Sequence, residues 1–259
     1  MDTKYAVSLL LFAALVISAI AYPPDGDSRN AGMLSSGGGL PVISSEAEYF
    51  GEVTGFFARP EAPGTYPGVV MIHEWWGLNK NIRIMAEELA SEGYLVLAAD
   101  LFSSVAQTPD EARAQVSALD QEEATANLRS AVSYLQSKGA FRIASLGWCF
   151  GGGQSLQLAL SGENLAATVI YYGQLTADQE ALSLIRWPVL GIFGAEDSSI
   201  PIEDIWRFQR GLEERRTAVD IHVYPDVGHA FANPSGANYA PEATRDAWEK
   251  TLTFLRDAL

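Results

Sequence analysis

Three residues of this chain have the types and the order that nucleophilic catalysis requires: Cys149, Asp197 and His229. Cys149 lies in Gly147-Trp148-Cys149-Phe150-Gly151, a G-x-nucleophile-x-G pattern with a thiol where a hydroxyl is common. Glycines beside the nucleophile suit a turn too tight for side chains, and Gly152 and Gly153 let the following helix pack close to the sheet. Such a turn sets the thiol at a helix N-terminus, where the dipole favours thiolate. Asp197 ends Gly194-Ala195-Glu196-Asp197, and His229 lies in Gly228-His229-Ala230-Phe231. Singly, each has a plainer reading: a buried structural cysteine, a turn carboxylate, a loop histidine. Together, in the order nucleophile, acid, histidine, they describe a thiol whose proton passes to an imidazole that a carboxylate holds in the right tautomer.

The elements that must position these residues read as alternating strands and helices. An edge strand or hairpin is predicted over Glu48 to Ala58, then a strand buried on both faces over Gly68 to Ile72. Ile82, Met85, Ala86 and Leu89 give helical spacing from Asn81 to Glu92, and Gly93 ends that helix before a strand over Tyr94 to Ala98. Helices follow over Pro109 to Leu119 and Glu122 to Lys138, then a strand over Phe141 to Leu146 and a helix from about Gly151 to Leu160. Strands over Ala166 to Tyr172, Val189 to Phe193 and Ile221 to Tyr224 and helices over Glu203 to Arg215 and Pro241 to Leu259 complete the series. This alternation implies an α/β fold with a mostly parallel sheet covered on both faces, in which ligands meet the C-terminal ends of the strands. Cys149, Asp197 and His229 each follow a predicted strand, and their order is that of an α/β-hydrolase. His222 falls inside the last strand and reads as structural.

Composition narrows the class of function. With 48% hydrophobic and 19% charged residues, the chain has ample material for a core and is neither disordered nor a coiled coil. Seventeen Lys and Arg against 32 Asp and Glu leave a net charge of −15, which excludes nucleic acid as the main partner and suits a soluble monomer. One cysteine permits neither an intramolecular disulfide nor a multi-cysteine zinc site. The carboxylates show no ligand spacing with the three histidines, so neither metal nor cofactor is implied.

The chain opens on Lys4 and an apolar run from Tyr5 to Ala21 that ends in Ala19-Ile20-Ala21, the small-x-small form of a cleavage site. Residues 1–21 read as a secretory signal peptide and the mature chain as exported, periplasmic or secreted; an uncleaved membrane anchor is the alternative. Pro, Gly and Ser crowd residues 22–45, which read as a flexible linker, and 46–259 as one domain.

Five segments together resemble the dienelactone hydrolase family of the α/β-hydrolase fold, the carboxymethylenebutenolidase-like enzymes. They are Ile72-His73-Glu74-Trp75-Trp76-Gly77-Leu78-Asn79, Ala99-Asp100-Leu101-Phe102, Gly147 to Gly152, Gly194 to Asp197 and Gly228 to Phe231. The resemblance implies a hydrolase of a carboxylic ester or lactone working through a Cys149-His229-Asp197 triad and a covalent acyl-thiol. It assigns Glu74 as a carboxylate beside the thiol that takes its proton once substrate binds, and the backbone N–H groups of Trp75 and Phe150 as the oxyanion hole. Trp76, Phe102, Ser104 and Asn233 fall at pocket positions, and His73 at a framework position. Where dienelactone-cleaving members carry arginines for the substrate carboxylate, this chain has Ser103, Ser104 and Asn233, so a neutral ester or lactone is expected. A thiol acyltransferase or thioesterase, or a binding protein on the same scaffold, are the alternative functions.

Overall fold

The computed structural model describes residues 39–259; the expected signal peptide and most of the expected linker lie outside the described residues. One eight-stranded sheet runs in the order β1-β2-β4-β3-β5-β6-β7-β8. Its strands are β1 (Val42–Phe50), β2 (Val53–Pro60), β3 (Gly68–Ile72), β4 (Leu95–Ala99), β5 (Ile143–Trp148), β6 (Ala167–Tyr171), β7 (Val189–Gly194) and β8 (Val219–Tyr224). β1 and β2 form an antiparallel hairpin that joins β4 antiparallel, and β3 to β8 pair in parallel.

The helices are α1 (Lys80–Ser91), α2 (Pro109–Ala118), α3 (Gln121–Ser137), α4 (Phe150–Leu160), α5 (Gln179–Leu182), α6 (Ile202–Glu214) and α7 (Pro241–Ala258). Side-chain alternation along the strands feeds two cores. Val69 and Met71 of β3 face the layer built by Ile82, Ala86 and Leu89 of α1 and by Trp248 and Leu255 of α7. Val70 and Ile72 face the opposite layer, with Leu128 and Leu135 of α3, Leu156 of α4 and Phe208 of α6. Helix starts follow side-chain capping: Asn79 accepts from the Ile82 N–H, Thr108 from Glu111, and Asp120 from Glu122 and Glu123.

The hairpin begins earlier than the sequence reading placed it. Strand β1 starts at Val42, inside the stretch read as linker to residue 45, and pairs with β2 from Val42↔Pro60 onward. An edge strand is paired on one side only, and here Ala47 alone of its nine residues is buried, so Ser44, Ser45 and Glu46 are tolerated. β8, the opposite edge, starts two residues before expectation for the same reason, with Asp220 exposed. Helix α5 was not foreseen, because four residues are too short to show a helical period.

The crossing of β5, α4 and β3 leaves no room for side chains. A Cβ on Gly151 would lie 2.3 Å from the Ile72 carbonyl oxygen and 2.5 Å from that of His73, whereas one on Gly153 would meet only ordinary contacts from 3.4 Å. Gly151→Ala is therefore expected to lower stability by about 3 kcal/mol or more. Gly153→Ala, in the same helix, is expected to be neutral or to stabilise by up to about 1 kcal/mol through helix propensity. Denaturant melts of the two variants check this; equal losses would contradict the packing argument.

Candidate active site

Four loops at the C-terminal ends of parallel strands bring the candidate residues together. Cys149 follows β5, Glu74 follows β3, Asp197 follows β7 and His229 follows β8. Cys149 sits at φ 55°, ψ −117°, in a region that side chains rarely occupy. Its N–H donates to the Tyr171 carbonyl at 3.0 Å and its own carbonyl accepts from Gly153 at 3.1 Å, so the backbone is clamped from both sides.

The three side chains read from the sequence form one hydrogen-bonded chain. Cys149 Sγ lies 3.0 Å from His229 Nε2, and His229 Nδ1 lies 2.7 Å from Asp197 Oδ2. The other Asp197 oxygen accepts the N–H groups of Ser199 at 2.8 Å and Ile200 at 3.3 Å, so the wholly buried carboxylate has its lone pairs engaged on both sides. Burial of His229 opposes its charged form, but the sulfur of Cys149 and the carboxylate of Asp197 outweigh it and hold the imidazole pKa well above its ordinary value.

Glu74 is buried at the same site, and Asn233 Nδ2 donates to its Oε2. Asn233 is itself held by the Ser235 N–H, donated to its Oδ1 at 2.9 Å, and Asn81 Nδ2 donates to the Ser235 hydroxyl at 2.7 Å. Burial pushes the Glu74 carboxyl up to about 7, against the pull of His229 and the Asn233 hydrogen bond. No lysine or arginine contributes to that balance. The N–H groups of Trp75 and Phe150 meet no protein acceptor among the described residues, and that of Phe150 is a free donor at the first turn of α4.

The remaining candidates divide. The Phe102 ring lies 4.9 Å from that of Phe150 and 5.0 Å from that of His73. Trp76 is buried against Ala106 and Ala112, with Trp75 edge-on at 5.0 Å. Ser104 is exposed and its hydroxyl accepts from Gln115 of α2 at 2.7 Å, so it faces that helix. Asn233, expected at a pocket position, is buried and donates to Glu74. His73 is a framework residue: its Nε2 accepts the Leu101 N–H at 3.1 Å, which leaves the proton on Nδ1, 2.6 Å from the Glu74 carbonyl. His222 pairs with Asp220 on the edge strand. Tyr172 was missed, although it directly follows β6 at the same sheet edge; its ring packs edge-on against His229 at 5.3 Å. Among the described residues no group of His, Cys, Asp and Glu is disposed to hold a metal ion, and no helix is long and apolar enough to cross a membrane.

This sheet order, with Cys149, Asp197 and His229 in loops at one edge, is that of the α/β-hydrolase fold. Residues 53–259 match the profile of the dienelactone hydrolase family, and the chain belongs to that family. It is 32% identical over 251 residues to a Saccharolobus solfataricus protein named "Putative carboxymethylenebutenolidase", covering 79% of this chain and 94% of that one. The crystal structure titled "Putative Dienelactone Hydrolase" from Klebsiella pneumoniae superposes with a TM-score of 0.76 at 28% identity, over 83% of this chain and 99% of the other. An acylaminoacyl peptidase structure shares the fold alone, at TM-score 0.63 and 15% identity over 85% of this chain and 42% of the other. The protein is accordingly a carboxylic ester or lactone hydrolase.

A carboxylate whose folded pKa lies above its unfolded value binds more protons when folded, so its ionisation costs stability as pH rises. For Glu74 that cost develops between the ordinary glutamate range and about 7 and is complete above it. Glu74→Gln keeps an acceptor for Asn233 and removes the charge. It should match the wild-type melting temperature near pH 4 and exceed it at pH 8, by up to about 3 kcal/mol in stability. A variant no more stable than wild type at pH 8 would contradict the burial argument.

Proposed function

We propose that Cys149 is the nucleophile of this hydrolase, with His229 as acid and base, Asp197 as its orienting carboxylate and an acyl-thiol as the covalent intermediate. The observation that carries this reading is the continuous chain of 3.0 Å from sulfur to imidazole and 2.7 Å from imidazole to carboxylate. His229 Nε2 takes the thiol proton, and the thiolate adds to the carbonyl carbon of the ester. The carbonyl oxygen, now negative, is met by the N–H groups of Trp75 and Phe150. Collapse expels the alkoxide, which leaves with the proton from His229, and the acyl group stays on sulfur. Water then loses a proton to His229, attacks the acyl carbon and releases the acid, and the sulfur recovers its proton. Glu74, poised near neutrality by burial, is a second acceptor for the thiol proton when substrate fills the site.

The substrate proposed is a neutral ester or lactone. Ser103, Ser104 and Asn233 carry no charge, and Asn233 is already engaged by Glu74. An anionic acyl group would meet Glu74 with no arginine at these three positions in compensation. We also read the mature chain as an exported monomer, on the strength of the apolar segment before Ala21 and the net charge of −15.

Steady-state assays with short p-nitrophenyl esters test the proposal. Wild type should turn over, and Cys149→Ala should fall to the background rate. Neutral esters should exceed matched esters bearing a carboxylate on the acyl chain by about tenfold to a hundredfold in kcat/KM. Activity that survives Cys149→Ala would remove the thiol mechanism, and the opposite substrate ratio would remove the neutral-substrate reading.

A further inference from the structure

We propose that the Tyr172 hydroxyl is a catalytic donor, which gives a hydrogen bond to Cys149 Sγ when the sulfur carries charge. The proposal rests on reading Cys149 as the nucleophile.

Tyr172 follows β6 on the edge of the sheet that carries the site, and its backbone is held at φ 35°, an uncommon value for a side-chain-bearing residue. Its N–H donates to the Ile192 carbonyl at 2.7 Å, and its ring is boxed by His229, Tyr171 and Phe231. The hydroxyl is fully buried and has no hydrogen-bond partner. Among the described residues two other buried side-chain atoms share that condition, Glu88 Oε2 and Gln115 Oε1, and neither belongs to the active-site residues. An unpaired buried hydroxyl is costly to keep, and a group retained in that state beside a reaction centre has a partner in another state of the cycle.

The choice of partner follows by elimination. Burial, and the negative charges of Glu74, Cys149 and Asp197 within electrostatic reach, hold the phenol well above its ordinary pKa. It therefore keeps its proton and acts as a donor. Asp197 has both oxygens occupied, by His229 and by the Ser199 and Ile200 N–H groups. Glu74 already accepts from Asn233 and loses acceptor strength as it takes up a proton. The sulfur has one hydrogen-bonded partner, His229 Nε2. Once that nitrogen holds the proton, the thiolate has lone pairs in a half-buried site and is the strongest acceptor within electrostatic reach of the phenol. No bond joins the two side chains in the resting arrangement, so the contact is specific to the charged state and favours the state that attacks.

Cys149 is the single cysteine of the chain, so alkylation by iodoacetamide reports on that sulfur alone, whether or not the protein turns over an ester. His229, with Asp197 behind it, is bonded to the sulfur; Tyr172 lies within electrostatic reach of it, and Glu74 acts on both His229 and Tyr172. The alkylation rate is followed against pH for the mature chain and for Tyr172→Phe. The expected result is a midpoint moved up by about one pH unit. With p-nitrophenyl butyrate, kcat is expected to fall about tenfold while KM stays within about twofold. Because the hydroxyl is unpaired at rest, Tyr172→Phe should melt no lower than wild type, which separates the effect from misfolding. Coincident midpoints would overturn the proposal. So would a midpoint moved down, since that places the hydroxyl on Glu74. An inert wild type with a shifted midpoint would sink the hydrolytic reading of Cys149 and leave the donor role of Tyr172 standing.

Discussion

The site depends on one constraint: the chain must turn from β5 into α4 within a single residue while two neighbouring strands press on the turn. Cβ atoms at Gly147, Gly152 and Gly173 would lie 2.1 to 2.6 Å from backbone atoms across the crossing. Glycine is the residue that fits at each, and the one residue in the turn with a reactive side chain bears the unfavourable φ of 55°. Holding such a conformation costs of the order of 1–3 kcal/mol, which the surrounding sheet supplies through the clamped Cys149 N–H and carbonyl. The return is position. The sulfur is raised above the sheet edge at a helix N-terminus, with no side chain of its own strand beside it.

That constraint also explains the polar interior beneath the elbow. Where α4 approaches the sheet closely, the facing positions are small: Ser145 and Gly147 on β5, with Ser155 on the helix. Ser155 donates to Ser145 at 2.8 Å or to the Val169 carbonyl at 3.1 Å, Ser145 reaches Thr168 at 3.3 Å, and the Trp187 indole N–H caps Thr168 at 2.9 Å. The hydroxyls of Ser145, Ser155 and Thr168 are thereby satisfied, so the close packing beneath the elbow leaves none of the three orphaned. On the opposite face, where α1 and α7 stand, the same strands present Leu146, Trp148, Val169 and Tyr171.

Most of this was legible in the sequence, for a physical reason. A strand buried on both faces must be a continuous apolar run, as in Gly68–Ile72 and Leu95–Ala99, and the chemistry must sit just beyond its end. What escaped were features whose physics leaves no local pattern. β1 is a solvated edge whose serines and glutamate resemble a linker. The Glu74–Asn233–Ser235–Asn81 sequence of hydrogen bonds joins residues far apart in the chain. Tyr172 stands at a strand end as the candidate residues do, but an aromatic after Tyr171 reads as more core, and only its unpaired hydroxyl distinguishes it.

Burial, more than the Asn233 hydrogen bond, sets the titration of Glu74. An amide gives the carboxylate a hydrogen bond but no charge, so burial prevails and the carboxyl titrates near 7. The cation that acts on Glu74 is His229, whose own proton is held by Cys149 and Asp197. These groups therefore share protons: a proton that moves from sulfur to the imidazole favours an ionised Glu74 through the new cation and opposes it through the new thiolate. With a fixed arginine in place of Asn233, the carboxylate would stay charged through the cycle and this exchange would vanish. The neutral amide thus leaves the charge on Glu74 dependent on the protonation of His229. At this depth in the protein an uncompensated charge is costly, so the hydrogen bond from Asn233 and the field of His229 are what oppose burial and let Glu74 ionise.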